Sequence, residues 1–250
     1  ETPFLWRWMK RFAAKRANVV VAVSAWLADY AQAALRLPSR PGVVYNGFSD
    51  EIATVDGPSL APPTPEVPDR FGVMVANVRP YKGHDLALDA WRILKEQAVD
   101  LPLVIVGGGP DLESARTRAH TLGLGPDTVQ FVGSLPRSTA LDLVRKAHLY
   151  VAPSRNEGFG IVLLEAGFLG VPIVCSDIGP FQEIVGDPEN AFVFQSGDPE
   201  HLAERVRQAL THPDEAARRA HLLRNRVTAT FSTHVMIQDY ERVYQTAVDD

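Results

Sequence analysis

The sequence predicts an α/β protein whose core is a doubly wound parallel sheet, and two observations carry that expectation. From residue 71 to residue 194, short apolar runs alternate strictly with longer helical patterns, the order that produces parallel strands covered by helices on both faces. Loops rich in glycine, proline and charge follow the strands at 77–83, 107–110 and 153–160, where sheets of this kind bind ligands.

Taken in order, an apolar run over 19–23 and a helical pattern over 26–37 predict one β/α unit, and 42–45 a further strand ending in a turn at Asn46 and Gly47. Pro58, Pro62, Pro63, Pro65 and Pro68 then crowd the stretch 56–69 and keep its backbone extended. That is a linker, and a domain boundary is expected near it. Beyond it come strand 71–77, helix 85–97, strand 103–106, helix 112–122, strand 129–132, helix 138–147 and strand 149–152. Helix 160–169, strand 172–175, a short helix near 182–185 and strand 191–194 continue the series, and the tail from 200 to 248 is expected to be helical throughout. The opening stretch 4–12 is both aromatic and basic. A helix packed on a sheet or on a further domain is preferred there to a membrane-surface helix.

At 250 residues, 46% hydrophobic and 22% charged, the chain can bury a sizeable core. Its net charge of -5 argues against general nucleic-acid binding. Cys175 is the single cysteine, so no disulfide forms within the chain and a reducing, cytoplasmic compartment is expected. No apolar stretch is long enough to span a bilayer. The first residue is glutamate, and the natural N-terminus, with any targeting signal, is expected to lie outside this chain.

Glu157 and Glu165 carry most of the functional information. Glu165 interrupts the apolar run 161–169, so the fold carries its carboxylate inward, where a bare charge is costly and a hydrogen-bonding partner is required. The strand 149–152, the polar turn 154–160 and the helix that follows form an anion site, because free N–H groups and the positive end of the helix dipole converge there. Glu157 then lies in the turn, with Glu165 about 8 Å along the helix axis from Gly160 at roughly 1.5 Å per residue. A phosphate on the Gly158, Phe159, Gly160 and Ile161 amides would have a carboxylate on either side, each reaching hydroxyls. A sugar, a diphosphate and a ribose have that order of parts.

Arg79 and Lys82 follow the first strand of the regular series, where two cations would neutralise a diphosphate, Arg79 through its planar fork and Lys82 as a point charge. A solvated loop pair is the alternative. Gly107, Gly108 and Gly109 let a ligand approach the backbone, but they fit neither the dinucleotide fingerprint nor a P-loop. An ordinary tight turn explains them equally well. No two aspartates are separated by one residue, and no cysteine and histidine pattern has zinc spacing, so neither a metal nor a cofactor is expected. Most of the seven histidines are expected at the surface or at helix caps, and none is assigned a role. Glu183 is read as a carboxylate near the start of its own helix.

Residues 20–24, Asn46 with Gly47, Arg79 with Lys82 and Gly83, 106–110, 131–133, Pro153 with Ser154, and Glu157 through Glu165 with 170–172 together resemble the retaining GT-B glycosyltransferases of family 4. The resemblance covers almost the whole chain, and the two glutamates around Gly158, Phe159 and Gly160 are its specific part. It implies a Rossmann-like, nucleotide-sugar-binding domain, the C-terminal half of GT-B, facing an acceptor domain across a cleft. The chain then divides into 1–48, the end of the N-terminal acceptor domain; 49–70, the linker; 71–232, the donor domain; and 233–250, a helix crossing back. By the same resemblance Glu157 is the catalytic residue, binding donor hexose hydroxyls beside the reacting centre, and Glu165 takes the ribose hydroxyls. Arg79 and Lys82, with the backbone of Gly158, Phe159, Gly160 and Ile161, hold the diphosphate, while Gly133, Ser134 and Leu135 face the nucleobase. The implied substrates are a UDP- or GDP-linked sugar and a sugar, glycan or lipid-linked acceptor, with peripheral membrane association through the missing domain. Arg79 and Lys82 stand closer together than the family often has them, Gly167 and Phe168 replace a more usual Met-Ala pair, and Ser49 stands where an aspartate is common.

Two functions follow. The first is transfer of a hexosyl group from a nucleotide diphosphate sugar to a hydroxyl acceptor, with retention and without a metal. The second is a nucleotide-sugar binding module, inactive without the missing domain. A nicotinamide-dependent dehydrogenase ranks below both, because no strand is followed by the glycine fingerprint and its acidic ribose ligand.

Overall fold

The computed structural model describes residues 4–48 and 65–249. The linker over 49–64, with Ser49, lies outside the described residues. An opening helix, α1 (Phe4–Arg16), leads to strands β1 (Val21–Ala22) and β2 (Gly42–Val43), which pair in parallel around helix α2 (Ala25–Leu35). The alternating region then supplies β3 (Gly72–Val75), α3 (His84–Glu96), β4 (Leu103–Val106), α4 (Leu112–Thr121), β5 (Val129–Gly133) and α5 (Arg137–Lys146). It continues with β6 (Leu149–Ala152), α6 (Ile161–Phe168), β7 (Ile173–Ser176), α7 (Gly179–Val185) and β8 (Phe192–Phe194). Three helices close the chain: α8 (Pro199–Thr211), α9 (Pro213–Thr230) and α10 (Thr233–Asp249).

Strands β3 to β8 form one sheet in the order β5-β4-β3-β6-β7-β8, and every pair is parallel. Successive side chains divide between its faces, because a strand repeats every two residues. Val73, Val104, Val106 and Tyr150 face a layer that includes α5, α6 and α9. Met74, Leu103, Ile105, Leu149 and Val151 face α3, α4 and α8. Both faces are therefore apolar, and β4 and β6 are buried along their whole length. Trp91 of α3 is fully enclosed and donates its indole N–H to the Leu101 carbonyl at 2.7 Å, which satisfies the one polar atom of a large buried ring.

The strand order reverses between β3 and β6, the position at which an open α/β sheet forms a crevice. The two strands pair through Gly72↔Leu149 and Val73↔Tyr150 only, while each runs two residues further. β3 itself ends at Val75, two residues before the expected 77, where its pairing with β4 ends at Val75↔Val106. The helix expected near 182–185 starts earlier, at Gly179, because Pro180 sits in its first turn, where a missing N–H costs nothing. The helical tail is broken before Pro213 for the same reason.

His84 departs from the place expected of most histidines. His84 is 4% exposed, neither at the surface nor a cap, and neither ring nitrogen finds a hydrogen-bond partner. Burial, the largest influence on it, pulls its pKa down to about 4 and keeps the ring neutral. Residues Trp8, Met9 and Phe12 of α1 are 56%, 49% and 44% exposed, so the described part of the chain leaves that aromatic face uncovered. At the other end, Phe48 bridges Ser232 and donates its N–H to the Phe231 carbonyl, which starts α10 against the end of the N-terminal segment.

Candidate functional site

The loops after β3 and β6 are pressed together at the crevice. Gly83 has φ +76, and a Cβ there would lie 2.0 Å from the Pro153 carbonyl oxygen, so only glycine lets the loops close. Arg155 N–H donates to the Tyr81 carbonyl at 2.8 Å and joins them further. Lys82 thereby reaches Glu157: its Nζ donates to Oε1 at 2.6 Å, and Ser154 Oγ donates to the same oxygen at 2.8 Å. Both members of the ion pair are largely enclosed, with 15% and 11% of their side chains exposed.

Gly160 sits at the start of α6 with φ +114, and a Cβ there would meet the Phe181 ring at 2.6 Å. The chain can then turn directly from the Glu157 loop into α6 and present the first amides of the helix at its mouth, with the positive end of the dipole. One turn on, Glu165 is buried as expected, and its partner is Arg137. The guanidinium donates to Oε1 through Nε at 3.0 Å and Nη2 at 2.7 Å. Glu165 keeps 10% of its side chain exposed and Arg137 45%, so the arginine covers the carboxylate from the solvent side.

Glu165, Arg137, Lys82, Asn77 and Gly108 line one cavity of about 500 Å³, with Ser134 and Leu135 on its wall. Glu157 lines a small adjoining recess that shares Lys82 and Val162 with it. Gly133 contributes its carbonyl to the Gly107 N–H instead of facing the cavity. Gly107 and Gly109 lie so close to the Ala76 and Val78 carbonyls that a Cβ would sit at 1.9 and 2.4 Å from them, so backbone packing requires both. Gly107 and Gly108 line the cavity, and Gly109 does not.

Arg79 does not join Lys82. It is exposed and lines a different cavity, of about 600 Å³, with His84, Asp111 and Arg118 on the α3 and α4 side. The single 3-10 turn over Pro80–Lys82 separates the two cations and sends them to opposite sides of the loop. Glu183 departs from its reading too: its carboxylate accepts from the Ala25 and Trp26 amides of α2 at 2.7 and 2.6 Å, so it caps a distant helix and not its own. Arg137 was missed by sequence reasoning. Its signal was its place as the first residue of α5, where the helix dipole disfavours a cation and an anionic partner is called for. Among the described residues no group of three or more His, Cys, Asp or Glu side chains could hold a metal ion, and no helix is long and apolar enough to cross a membrane.

The chain is similar to known glycosyltransferases. The O-antigen chain mannosyltransferase C of Escherichia coli is 28% identical over 96% of this chain and 63% of its own length. A GDP-mannose-dependent phosphatidylinositol monomannoside mannosyltransferase of Mycobacterium tuberculosis is 32% identical over 63% of this chain and 42% of its own length. The chain thus spans about half the length of these curated relatives. Among solved structures, Anabaena Alr3699/HepE in complex with UDP and glucose superposes with a TM-score of 0.78 at 20% identity, over 96% of this chain and 66% of that one. A glycosyltransferase of Rickettsia africae superposes with a TM-score of 0.80 at 17% identity, over 100% of this chain and 69% of that one. The architecture is that of GT-B glycosyltransferases. The model of the family described as glycosyl transferases group 1 matches residues 62–225, well over half of the chain, which therefore belongs to that family.

Proposed function

We propose that the whole protein transfers a hexosyl group from a UDP- or GDP-linked sugar to a hydroxyl acceptor with retention, as in family 4, and that this chain supplies the donor-binding half. The observation that carries the proposal is the juxtaposition of the enclosed Lys82 and Glu157 pair with the N-terminus of α6 and the buried Glu165, at the switch point of the sheet. Lys82 and the α6 amides hold the diphosphate, Glu157 binds hexose hydroxyls beside the anomeric carbon, and Glu165 takes the ribose hydroxyls. Ser134 and Leu135 face the base. Arg79, lining the other cavity, leaves the diphosphate to Lys82 and the amides.

In the reaction the bond between the anomeric carbon and the phosphate oxygen breaks as the acceptor oxygen bonds to the same face of that carbon. The acceptor proton passes to the leaving phosphate, whose charge Lys82 and the amides stabilise as preorganised donors. Glu165 is too far along α6 to join the chemistry, unlike the paired carboxylates of glycosidases. Transfer proceeds without a metal, since fixed positive charge already faces the leaving group. The substrate class is supported by the structural neighbour bound to UDP and glucose and by the GDP-mannose-dependent relative. A cytoplasmic setting accords with Cys175, a lone buried thiol pushed up by burial to about 12.

The test is donor hydrolysis and transfer by the full-length protein with UDP- and GDP-sugars. Glu157→Ala and Lys82→Ala should each lower kcat/KM by roughly 100-fold or more, and EDTA should leave activity unchanged. Normal activity in both variants refutes the assignment.

A further inference from the structure

We infer that Ser24, far from the donor site in sequence, is a positioning residue that fixes the Glu157 loop for donor binding. Its Oγ donates to the Gly158 carbonyl at 2.9 Å and accepts from the Leu27 amide at 3.0 Å, two bonds that one hydroxyl makes simultaneously. The side chain is fully buried. Nothing packs within 4 Å of where a Gly158 Cβ would lie, so no side-chain contact at Gly158 itself orients its carbonyl, and glycine is the most permissive residue for that peptide's orientation. In a trans peptide the N–H points opposite to the carbonyl. Holding the Gly158 oxygen toward α2 therefore turns the Phe159 N–H away from α2.

The same unit makes a second contact with the loop. Tyr45, just after β2, stacks on the Phe159 ring with centroids 5.6 Å apart. The base of this clamp is itself fixed: Glu183 takes the Ala25 and Trp26 amides and Ser24 the Leu27 amide, so three of the orphan donors at the start of α2 are satisfied. Gly179 of α7 lies against the Trp26 ring, where a Cβ would be 2.1 Å from Cδ1. Ser24 is thus the direct hydrogen-bonded link between the start of α2 and the donor loop.

This rests on the donor-site reading of the loop, and the test separates the two. Calorimetry of the 250-residue chain with UDP and with GDP is run on wild type, Ser24→Ala, Ser24→Thr and Glu183→Gln, with thermal unfolding of each. Glu183→Gln weakens the same cap of α2 while leaving the Ser24 bond to the Gly158 carbonyl in place. Ser24→Ala should weaken nucleotide binding roughly tenfold, the scale of one lost positioning hydrogen bond. Ser24→Thr, which keeps the hydroxyl, should restore most of it, and Glu183→Gln should change binding less than twofold although its Tm falls. Equal losses in Ser24→Ala and Glu183→Gln would assign the effect to helix docking and overturn the inference, as would wild-type binding in Ser24→Ala. Absence of binding to both nucleotides in the wild type would overturn the donor reading itself.

Discussion

Replacing Arg137 with methionine removes the guanidinium from Glu165 while keeping the aliphatic stem. The carboxylate left behind has 10% of its side chain exposed and loses two hydrogen bonds, at 2.7 and 3.0 Å. A fully buried pair broken in this way costs about 3–5 kcal/mol, and an exposed one roughly 0–1. With the arginine 45% exposed, the expected loss lies between those limits, at about 2 kcal/mol. For a chain of this size that lowers Tm by roughly 4–8 °C. Glu165→Gln in the Arg137→Met background should recover part of the loss, because the uncompensated charge is gone. Guanidinium unfolding of both single variants and the double variant isolates the pair as a coupling energy. A coupling below roughly 0.5 kcal/mol would refute the claim that Arg137 is what satisfies Glu165.

His84 sets a pH dependence. Its pKa falls from 6.5 to about 4 on folding, so between those values the unfolded chain binds the proton and the native chain does not. Stability is complete above about pH 6.5 and falls as pH drops toward 4, by on the order of 3 kcal/mol from this group; His84→Leu should flatten that part of a pH series of denaturation midpoints. Gly179→Ala places a methyl 2.1 Å from the Trp26 ring and should destabilise by about 1–3 kcal/mol in thermal unfolding, as overpacking does. Gly83→Ala combines a left-handed backbone with a clash against the Pro153 carbonyl. It should move Lys82 away from Glu157 and cost more activity than stability when the two are measured side by side.

The strands were legible because each is apolar on both faces, and β4 and β6 occupy the expected residues. Boundaries shifted where tertiary geometry intervened, as at β3, which ends with its pairing to β4 at Val75. That Glu165 needed a partner could be read from a carboxylate inside an apolar run. The partner's identity could not, since Arg137 lies 28 residues away and only the packing of α5 beside α6 joins them. The separation of Arg79 from Lys82 was hidden for a similar reason: the two intervening positions do not reveal that a 3-10 turn takes the cations to different cavities. Glu183 and Ser24 act across 158 and 134 residues, beyond any local pattern. Gly167, a costly residue inside a helix, is explained by α9, because a Cβ there would press on Val227 and Leu223 at 3.2–3.4 Å.

A crystal structure of the chain with UDP or GDP tests the donor site most directly. The diphosphate is predicted between Lys82 and the amides at the start of α6, with the ribose hydroxyls on Glu165 and the base beside Ser134 and Leu135. A nucleotide bound instead in the cavity of Arg79, His84 and Arg118 would contradict that placement.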